Sequence, residues 1–503
     1  MPRMTRILVA AVASALLLSG CTPAPTATSD APVPAGFEAI YAQQVFWNDC
    51  GDSGFDCTTV SAPVDWSDPN SDRIQLAVVR QESTNTTVGS LLTNPGGPGG
   101  SGFDFVSFGY AVTPAVKADY DIIGWDPRGV GRSTRVTCFT DTADTDELLY
   151  GTFADPYGSE GWFEEAAARD GAFADACGAN TGELLAHMDT ASNARDMDLI
   201  RAVVASDKLN YVGYSYGTSL GTVYAQLFPA NVGRMVLDGA YDPVLTGFEL
   251  VQQRMVGFDL AFRAYMESCL ADDGCPFSGD IAVALGQATD LVAAADATGL
   301  VDDDGRVLTT ETLAVGIGNQ LYYASTWPDL TELFDALRAG DPAPAFEAAD
   351  NFYGRFDNGS YGENGTEVAF AVSCLDYDFA ADEATTVDRM AQIAAAAPIL
   401  GAFIARADFV KLDLACGAWP APPASLPVGF DGATPPIIVV GTTRDPATPY
   451  SWSQSLVSQL PGAALITRNG DGHTGYNKSN SCVDSAVDAF LLDGVVPASD
   501  PNC

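Results

Sequence analysis

One stretch, from Leu209 to Ala225, constrains the fold of this chain more than any other. It reads LNYVGYSYGTSLGTVYA, which is a short apolar run, a G-x-S-x-G turn and then apolar residues at helical spacing. A serine at such a strand-to-helix turn is held above the end of a sheet, with a helix N-terminus behind it that favours negative charge. Glycines flank it because a Cβ beside so tight a turn would clash. The sequence therefore predicts Ser215 as a nucleophile, the alternative being a Gly/Ser turn that matches by chance.

A general base is the first partner that this serine needs. A serine becomes a strong nucleophile only when a base takes its proton and a third group orients the base. The chain has 2 histidines, His187 and His473. His187 lies in an acidic, helical stretch where a solvated or capping role is expected, whereas His473 lies in a glycine-rich loop after the last predicted strand. Loops at strand ends carry the chemistry of α/β sheets, so His473 is the predicted base.

The acid that orients the base is expected between the serine and the histidine in the chain, after a sheet strand. Asp445 meets both conditions because it follows a strongly apolar strand. Asp431 precedes that strand and Asp471 almost adjoins the histidine, so both fit less well. The sequence predicts Asp445 as the acid, the alternative being a plain turn residue before proline.

An oxyanion hole requires two backbone N–H donors near the serine. One is predicted at Tyr216, the residue after the nucleophile. The other is predicted at Gly97, in the sequence NPGGPGG at residues 94–100 that follows an early strand. Glycines let this backbone approach closely and prolines stiffen it, so the donor is set in advance. The alternative is a tight loop without a role in the reaction.

Strand-like and helical patterns alternate through the first half of the chain, and the alternation resumes at Pro436–Gly441. This order is typical of a mainly parallel sheet flanked by helices, an α/β fold. From residue 242 to residue 428 the chain is instead rich in Ala, Leu and acidic residues at helical spacing, for example over 309–337. We predict that residues 37–241 and 429–503 form the α/β core and that residues 242–428 form a helical cap inserted between two strands.

The N-terminus predicts export. Two arginines precede an apolar run over residues 7–18, which is too short for a membrane span and typical of a signal peptide. The run ends in LSGC, which resembles a bacterial lipobox, so residues 1–21 are predicted to be a lipoprotein signal with Cys21 as the lipidated residue. Cleavage without lipidation is the alternative. Residues 22–36, rich in Pro, Ala, Thr and Ser, are predicted to be a disordered tether to an extracytoplasmic enzyme.

Cysteine usage agrees with export. The chain has 11 cysteines, and 10 remain when Cys21 is set aside. An even number in an exported chain predicts disulfides, although sequence alone leaves their connectivity open. Pairing neighbours closes plausible loops: Cys50–Cys57, Cys138–Cys177, Cys269–Cys275, Cys374–Cys416 and Cys482–Cys503. Zinc is a poor alternative because paired C-x-x-C units are missing, and we expect no metal and no cofactor.

The formal net charge of −41 at pH 7 argues against some partners. Nucleic acids and anionic membrane surfaces would be repelled, so membrane contact is expected only through the N-terminal lipid. The charge could attract cationic ligands such as free amines. Solubility in a salty or crowded exterior is the explanation that we prefer.

Several motifs together resemble one family. They are NPGGPG at 94–99, DPRGVGRS at 126–133, GYSYG at 213–217, TRDPATPY at 443–450 and GHTGY at 472–476. The set is similar to the proline iminopeptidase branch of the α/β-hydrolases and to the secreted tripeptidyl aminopeptidases of actinobacteria. The resemblance extends from about residue 40 to the end of the chain. It departs at Pro95, where the iminopeptidase turn has a histidine.

The resemblance implies an α/β-hydrolase fold whose cap covers the site and whose acidic residues bind the free α-amine of a peptide. SCLDY at 373–377 resembles the C-x-D pattern of the family, which makes Asp376 the candidate for this role. Asp242, just past the strand that follows the elbow helix, is a weaker candidate.

The activity that the resemblance implies is that of a serine aminopeptidase. It would hydrolyse peptide bonds near free N-termini, releasing tripeptides, through an acyl-enzyme on Ser215, and its partners would be peptides. A carboxylesterase or lipase with the same triad is the alternative within enzymes. A non-catalytic envelope lipoprotein that only binds peptides is the other alternative, and the intact set of Ser215, Asp445 and His473 argues against it.

Overall fold

The computed structural model describes residues 32–51, 54–379, 383–401, 409–424, 426–427, 429–430 and 434–503. The predicted signal peptide, the predicted lipidation site Cys21 and most of the predicted tether lie outside these residues. Over the part of the chain that is described, helices long and apolar enough to cross a membrane do not occur.

A single sheet organises the molecule, and nine strands belong to it among the described residues. The strands are β1 Asn48–Asp49, β2 Asp56–Pro63, β3 Arg73–Gln81, β4 Gly89–Asn94, β5 Tyr120–Trp125, β6 Leu209–Tyr214, β7 Val232–Asp238, β8 Ile437–Arg444 and β9 Ala464–Asp471. Their order across the sheet is β1-β2-β3-β5-β4-β6-β7-β8-β9. The pairs from β1 to β5 through β3 are antiparallel, and all pairs from β5 to β9 are parallel. The predicted mainly parallel sheet is confirmed.

Helices surround the sheet. They are α1 Glu38–Tyr41, α2 Gly102–Ser107, α3 Pro114–Asp119, α4 Thr142–Tyr150, α5 Glu160–Thr181, α6 Thr190–Val203, α7 Tyr216–Leu227, α8 Gly247–Leu270, α9 Ile281–Thr298, α10 Thr310–Leu321, α11 Trp327–Ala339, α12 Ala343–Tyr353, α13 Gly365–Asp376, α14 Glu383–Ala396, α15 Lys411–Gly417, α16 Tyr450–Gln459 and α17 Ser481–Asp493. Short 3₁₀ helices lie at Gly182–His187, Pro229–Asn231 and Ala324–Thr326.

Both faces of the sheet are buried, because alternate side chains of a strand pack into apolar clusters on opposite faces. In β8, Ile437 and Val439 pack into one apolar cluster, whereas Ile438 and Val440 pack into another on the opposite face. Successive side chains of a strand point to opposite faces, so a continuous apolar run is what a doubly covered strand requires. The α/β class predicted from the sequence, a mainly parallel sheet covered on both faces, is thereby confirmed.

The helices α8 to α15 lie between β7 and β8 in the chain, in the region predicted to be the cap. The helical pattern predicted over 309–337 is interrupted, because Tyr323 is extended and ends α10 before α11 begins. Pro328 stands in the first turn of α11. Proline has no N–H to continue a preceding helix but suits the start of a new one, which accounts for the break.

Five disulfides link the described cysteines, and they join the same pairs that the sequence analysis set out: Cys50–Cys57, Cys138–Cys177, Cys269–Cys275, Cys374–Cys416 and Cys482–Cys503. Two of them tie distant segments to helices next to the site. One joins α13 to α15, and another joins the C-terminal residue to α17.

Candidate active site

Five of the six parallel strands, β4, β6, β7, β8 and β9, carry the candidate site on the loops that follow them, and these loops lie at the same edge of the sheet. Ser215 directly follows β6 and precedes α7, with φ +55° and ψ −126°. A non-glycine residue in this region is strained, and tight neighbours must hold it there. A Cβ at Gly213 would lie 2.3 Å from the carbonyl oxygen of Gly217, so the turn tolerates only glycine there. The Ser215 N–H donates to the carbonyl of Asp238 at 2.8 Å, which anchors the elbow to β7.

His473 and Asp445 meet in the loops after β9 and β8. The imidazole Nδ1 lies 2.8 Å and 3.0 Å from the two carboxylate oxygens of Asp445. That carboxylate also accepts backbone N–H groups from Ala447 at 3.0 Å, Thr448 at 2.9 Å and Thr474 at 3.1 Å. These backbone donors fix the direction of the Asp445 carboxylate, which faces Nδ1.

The second ring nitrogen of His473, Nε2, is buried and has no hydrogen-bond partner among the described residues. Since Nδ1 donates to a carboxylate, Nε2 carries the lone pair that a general base needs. The imidazole also lies near the elbow. A Cβ placed on Gly239, which directly follows the residue that anchors Ser215, would be 3.2 Å from the imidazole Cε1. The N–H of His473 donates to the carbonyl of Tyr322, in the cap, at 2.7 Å.

The other candidates for base and acid are engaged elsewhere. Asp471 forms a two-pronged ion pair with Arg444, at 2.5 Å and 2.9 Å. Nδ1 of His187 lies 3.9 Å from a carboxylate oxygen of Asp65. Asp431 falls outside the described residues. Among the described carboxylates, Asp445 is therefore the one that the structure brings against Nδ1 of His473.

The glycine-rich turn after β4 lies directly against the elbow. A Cβ at Gly96, where φ is +97°, would be 2.8 Å from the Cβ of Ser215 and 3.0 Å from the backbone nitrogen of Tyr216. Tyr216 is the first residue of α7, so its N–H has no acceptor within the helix. Across the described part of the chain, neither this N–H nor that of Gly97 donates to a protein acceptor. Both predicted donors are thus free, and Tyr216 directly follows the serine.

The motif DPRGVGRS at 126–133 is hydrogen-bonded to Ser101, the residue that follows the glycine-rich turn. The sequence analysis did not assign this structural role to the motif. Asp126 is fully buried and accepts the Ser101 hydroxyl at 2.5 Å and the Arg132 N–H at 2.8 Å. Arg128 is also fully buried, and its guanidinium pairs with Asp196 at 2.8 Å. Breaking a buried pair of this kind would leave an uncompensated charge, so these residues fix the loops rather than react.

A cavity of about 400 Å³ lies between the glycine-rich turn, the elbow and the cap. Its walls are formed by Gly97–Gly100, by Tyr216 and by side chains of α8, α10 and α13. Most of the lining is apolar, with Phe258 and Phe370 among the larger side chains. The charged side chains in the lining are Arg254, Glu363, Asp376 and Lys411.

Asp376, the last residue of α13, lies in the wall of this cavity and is 7% exposed. It accepts the N–H of Thr190 at 2.9 Å and the hydroxyl of the same residue at 2.5 Å. That hydroxyl lies 2.6 Å from the Tyr216 hydroxyl, which links the carboxylate to the elbow. Burial raises the pKa of Asp376 to about 7. A carboxylate in this position would be stabilised as an anion by a cation that entered the cavity.

Asp242, the weaker candidate for amine binding, lies elsewhere. Its carboxylate accepts Nε2 of Gln459 at 3.0 Å, and it is not among the described residues that line the cavity. The structure therefore brings Asp376 to the cavity and does not bring Asp242 there. Within the described ranges, clusters of His, Cys, Asp and Glu that could hold a metal ion do not occur.

Comparison with known proteins places this arrangement in a family. A family model described as TAP-like protein matches residues 402–503. Serine protease Hip1 of Mycobacterium tuberculosis is 34% identical over 100% of this chain and 98% of its own length. Carboxylesterase B of the same species is 37% identical over 97% of this chain and 94% of its own length. Tripeptidyl aminopeptidase of Streptomyces lividans is 34% identical over 91% of this chain and 86% of its own length.

These similarities span nearly the whole chain. The resemblance identified from the sequence motifs is confirmed. The chain belongs to the TAP-like family of α/β-hydrolase serine peptidases.

Proposed function

We propose that this chain is an exported serine aminopeptidase that hydrolyses peptide bonds near free N-termini and releases tripeptides. One observation carries the proposal: Asp445 orients His473, whose Nε2 has no hydrogen-bond partner among the described residues, and the elbow residue Tyr216 lines a cavity that also holds the buried carboxylate of Asp376. Both predicted oxyanion donors, Gly97 and Tyr216, and a carboxylate suited to a cationic chain end thus line one cavity. The name of the tripeptidyl aminopeptidase relative supports the number of residues released.

The proposed reaction has two halves. Nε2 of His473 takes the proton of the Ser215 hydroxyl while the oxygen attacks the scissile carbonyl, and the oxyanion is bound by the N–H groups of Gly97 and Tyr216. The imidazolium, stabilised by Asp445, then gives its proton to the departing amine as the C–N bond breaks. Water repeats the same steps on the acyl-enzyme and releases the N-terminal fragment with a free carboxylate.

Asp376 is proposed to bind the α-ammonium of the substrate. The only charge unique to a peptide N-terminus is this ammonium, so an enzyme that reads chain ends needs a carboxylate where that end lies. Thr190 holds the Asp376 side chain with two hydrogen bonds, which fixes its direction before substrate binds. Charge pairing in a covered cavity is stronger than at an exposed surface.

The proposed location is extracytoplasmic, either anchored through a lipid on Cys21 or released. Five disulfides support export, because such bonds persist in oxidising compartments. The proposed partners are peptides with free N-termini. Nucleic acid is not proposed as a partner, and the membrane is proposed as one only through the lipid.

A carboxylesterase acting through the same triad is the second candidate. Two observations favour it: the largely apolar lining of the cavity and the similarity to a protein named carboxylesterase B. The two candidates differ in whether the substrate must carry a charged amine.

A panel of chromogenic substrates separates them. It contains mono-, di- and tripeptide amides, each with a free and an acetylated N-terminus, and one short-chain ester, with Ser215→Ala as the blank. The aminopeptidase proposal predicts that the free tripeptide amide is cleaved fastest and that acetylation lowers kcat/KM at least tenfold, about 1.4 kcal/mol. Equal cleavage of free and acetylated amides, or cleavage of the ester alone, would reject it.

A further inference from the structure

Asp238, the last residue of β7, contacts both halves of the candidate active site. Its backbone carbonyl accepts the N–H of Ser215 at 2.8 Å. Its carboxylate accepts the N–H of Gly475, with both oxygens at 2.9 Å, and the N–H of Tyr476 at 2.7 Å. The residue is fully buried. One residue therefore joins the serine elbow to the loop that carries His473.

Other contacts also hold the loop after β9, among them the Thr474 carbonyl, which accepts the Thr442 hydroxyl and the Arg468 guanidinium at 3.1 Å each. The N–H of His473 donates to the cap, and the N–H of Thr474 donates to Asp445 at 3.1 Å. Thr474 has φ +66°, an uncommon conformation for a β-branched residue. The next two N–H groups in the chain are the ones that Asp238 receives. Without those two bonds, neighbouring contacts alone would have to hold the strained turn that aims the imidazole.

We infer that Asp238 is a positioning residue, which sets the distance between Ser215 and His473 by binding the elbow through its carbonyl and the histidine loop through its carboxylate. The inference rests on the proposed roles of those two residues. Asp238 faces the backbone of the loop and not the substrate, so it acts through the geometry of the pair. Misplacement of catalytic groups by about 1 Å can cost on the order of a hundredfold in rate.

The charge state of Asp238 matters to the positioning of Ser215 and His473, because both groups that bind its carboxylate, the N–H groups of Gly475 and Tyr476, are hydrogen-bond donors. Burial raises its pKa to about 6, while the bonds from Tyr476 and Gly475 and the charge of His473 act in the opposite direction. If the Asp238 carboxyl were protonated, its O–H would be a donor facing the N–H donors of Gly475 and Tyr476, and one of these hydrogen bonds would be lost. The titratable groups that interact with it are Tyr214, Tyr323, Asp445, His473 and Lys478.

The test compares Asp238→Asn with wild type in the full-length protein. The amide keeps the shape but offers one acceptor where two oxygens now receive two N–H groups. We expect kcat to fall at least tenfold while KM stays within about twofold, because the substrate contacts are unchanged. The rate at which a fluorophosphonate labels Ser215 should fall by a similar factor.

Asp259→Asn is the matched control. Asp259 is also a buried carboxylate that accepts two backbone N–H groups, from Ile399 at 2.9 Å and Leu400 at 2.6 Å, but it lies in α8. Both variants should lower Tm, and only Asp238→Asn should lower kcat. If the two lower Tm alike and leave kcat unchanged, Asp238 is only structural and the inference is overturned.

A second measurement covers the case in which Asp238→Asn does not fold. In wild type, the fluorophosphonate labelling rate is followed from pH 8 to pH 5. This probe has no amine, so the amine pocket does not contribute. The inference predicts that the labelling rate falls as pH decreases through about 6, the pKa of Asp238, because the protonated carboxyl no longer accepts both N–H groups; a labelling rate that stays constant from pH 8 to pH 5 overturns it. Absence of any label on Ser215 in wild type would instead reject the proposed function.

Discussion

The two ring nitrogens of His473 differ in their hydrogen-bond partners. Nδ1 faces a carboxylate that three backbone N–H groups hold in place, and Nε2 is left without a partner among the described residues. The proton therefore sits on Nδ1, and Nε2 carries the lone pair of the base. Which carboxylate performs this role could be predicted from chain order alone, because Asp445 follows a strand and Asp471 adjoins the histidine.

Replacing Asp445 by Asn should reduce kcat on a peptide amide by about 10³- to 10⁴-fold, because an amide would donate to Nδ1 and stabilise the wrong tautomer. Asp471→Asn is the matched control. It breaks a surface pair with Arg444, whose side chain is 42% exposed, so kcat should change little. If kcat fell more in Asp471→Asn than in Asp445→Asn, the acid would have been assigned to the wrong residue.

Asp376→Asn tests the amine pocket. A charge-assisted hydrogen bond is worth ~1.5–3 kcal/mol, so kcat/KM for free-amine peptide amides should fall roughly ten- to a hundredfold, with hydrolysis of a short-chain ester almost unchanged. Asp242→Asn, which alters a carboxylate away from the cavity, should leave both substrates unaffected. Since the pKa of Asp376 is about 7 without substrate, KM for free-amine substrates should rise as pH falls through 7. Equal losses on the amide and the ester would remove Asp376 from amine binding.

At the scale of elements, the sequence patterns predicted the strands, turns and helices that depend on residues close together in the chain. The apolar run of β8, the elbow and the helices that flank it depend on residues close in sequence, and all could be predicted. The contact of Thr190 with Asp376 could not, because the two residues are 186 positions apart in the chain. The same is true of Asp238 and the loop after β9, whose pairing requires the finished sheet. The break at Tyr323 was missed because apolar spacing continues across it.

The helices α5, α10 and α15 meet at a buried group of charges. Lys411 lies 3.5 Å from Glu311, and burial raises the pKa of the nearby Asp170 to about 7, although the charge of Lys411 acts to lower it. An aspartate whose pKa is higher in the folded than in the unfolded state adds stability below its unfolded pKa, and that stability is lost as pH rises through 7.

Asp170→Asn should therefore flatten the dependence of Tm on pH. Between pH 4 and pH 7 the wild type should lose more Tm than the variant, because unfolding of the wild type releases up to about one more proton. The measurement is a series of thermal unfolding scans at constant ionic strength. Parallel Tm curves for the two proteins would contradict the raised pKa.

At the scale of the whole molecule, disulfides and the cap hold together loops that are far apart in sequence. Among the contacts of the cap with the site, the Tyr322 carbonyl receives the His473 N–H, and the end of α13 carries Asp376. The disulfide between Cys374 and Cys416 braces that end of α13. The sequence indicated the cap by composition, but the faces of its helices that meet the site depend on packing that periodicity does not specify.

The disulfide between Cys482 and Cys503 should contribute most of the stability of the C-terminal segment. It closes a loop with a sequence separation of 21 residues, worth about 3 kcal/mol in the chain-entropy model. Replacing both cysteines with Ala should lower the free energy of unfolding by about that amount while leaving kcat unchanged. Mass analysis of the unreduced wild type should find no free thiol among the ten cysteines from Cys50 to Cys503; free thiols at both Cys482 and Cys503 would refute this pair.

The most direct measurement of the central claim is the site of covalent attachment. The folded protein is treated with a fluorophosphonate, digested and mapped by mass spectrometry, with Ser215→Ala treated in parallel. The arrangement of Ser215, His473 and Asp445 predicts a single adduct on Ser215 in wild type and none in the variant. An adduct on another serine, or no adduct on folded wild type, would contradict the account.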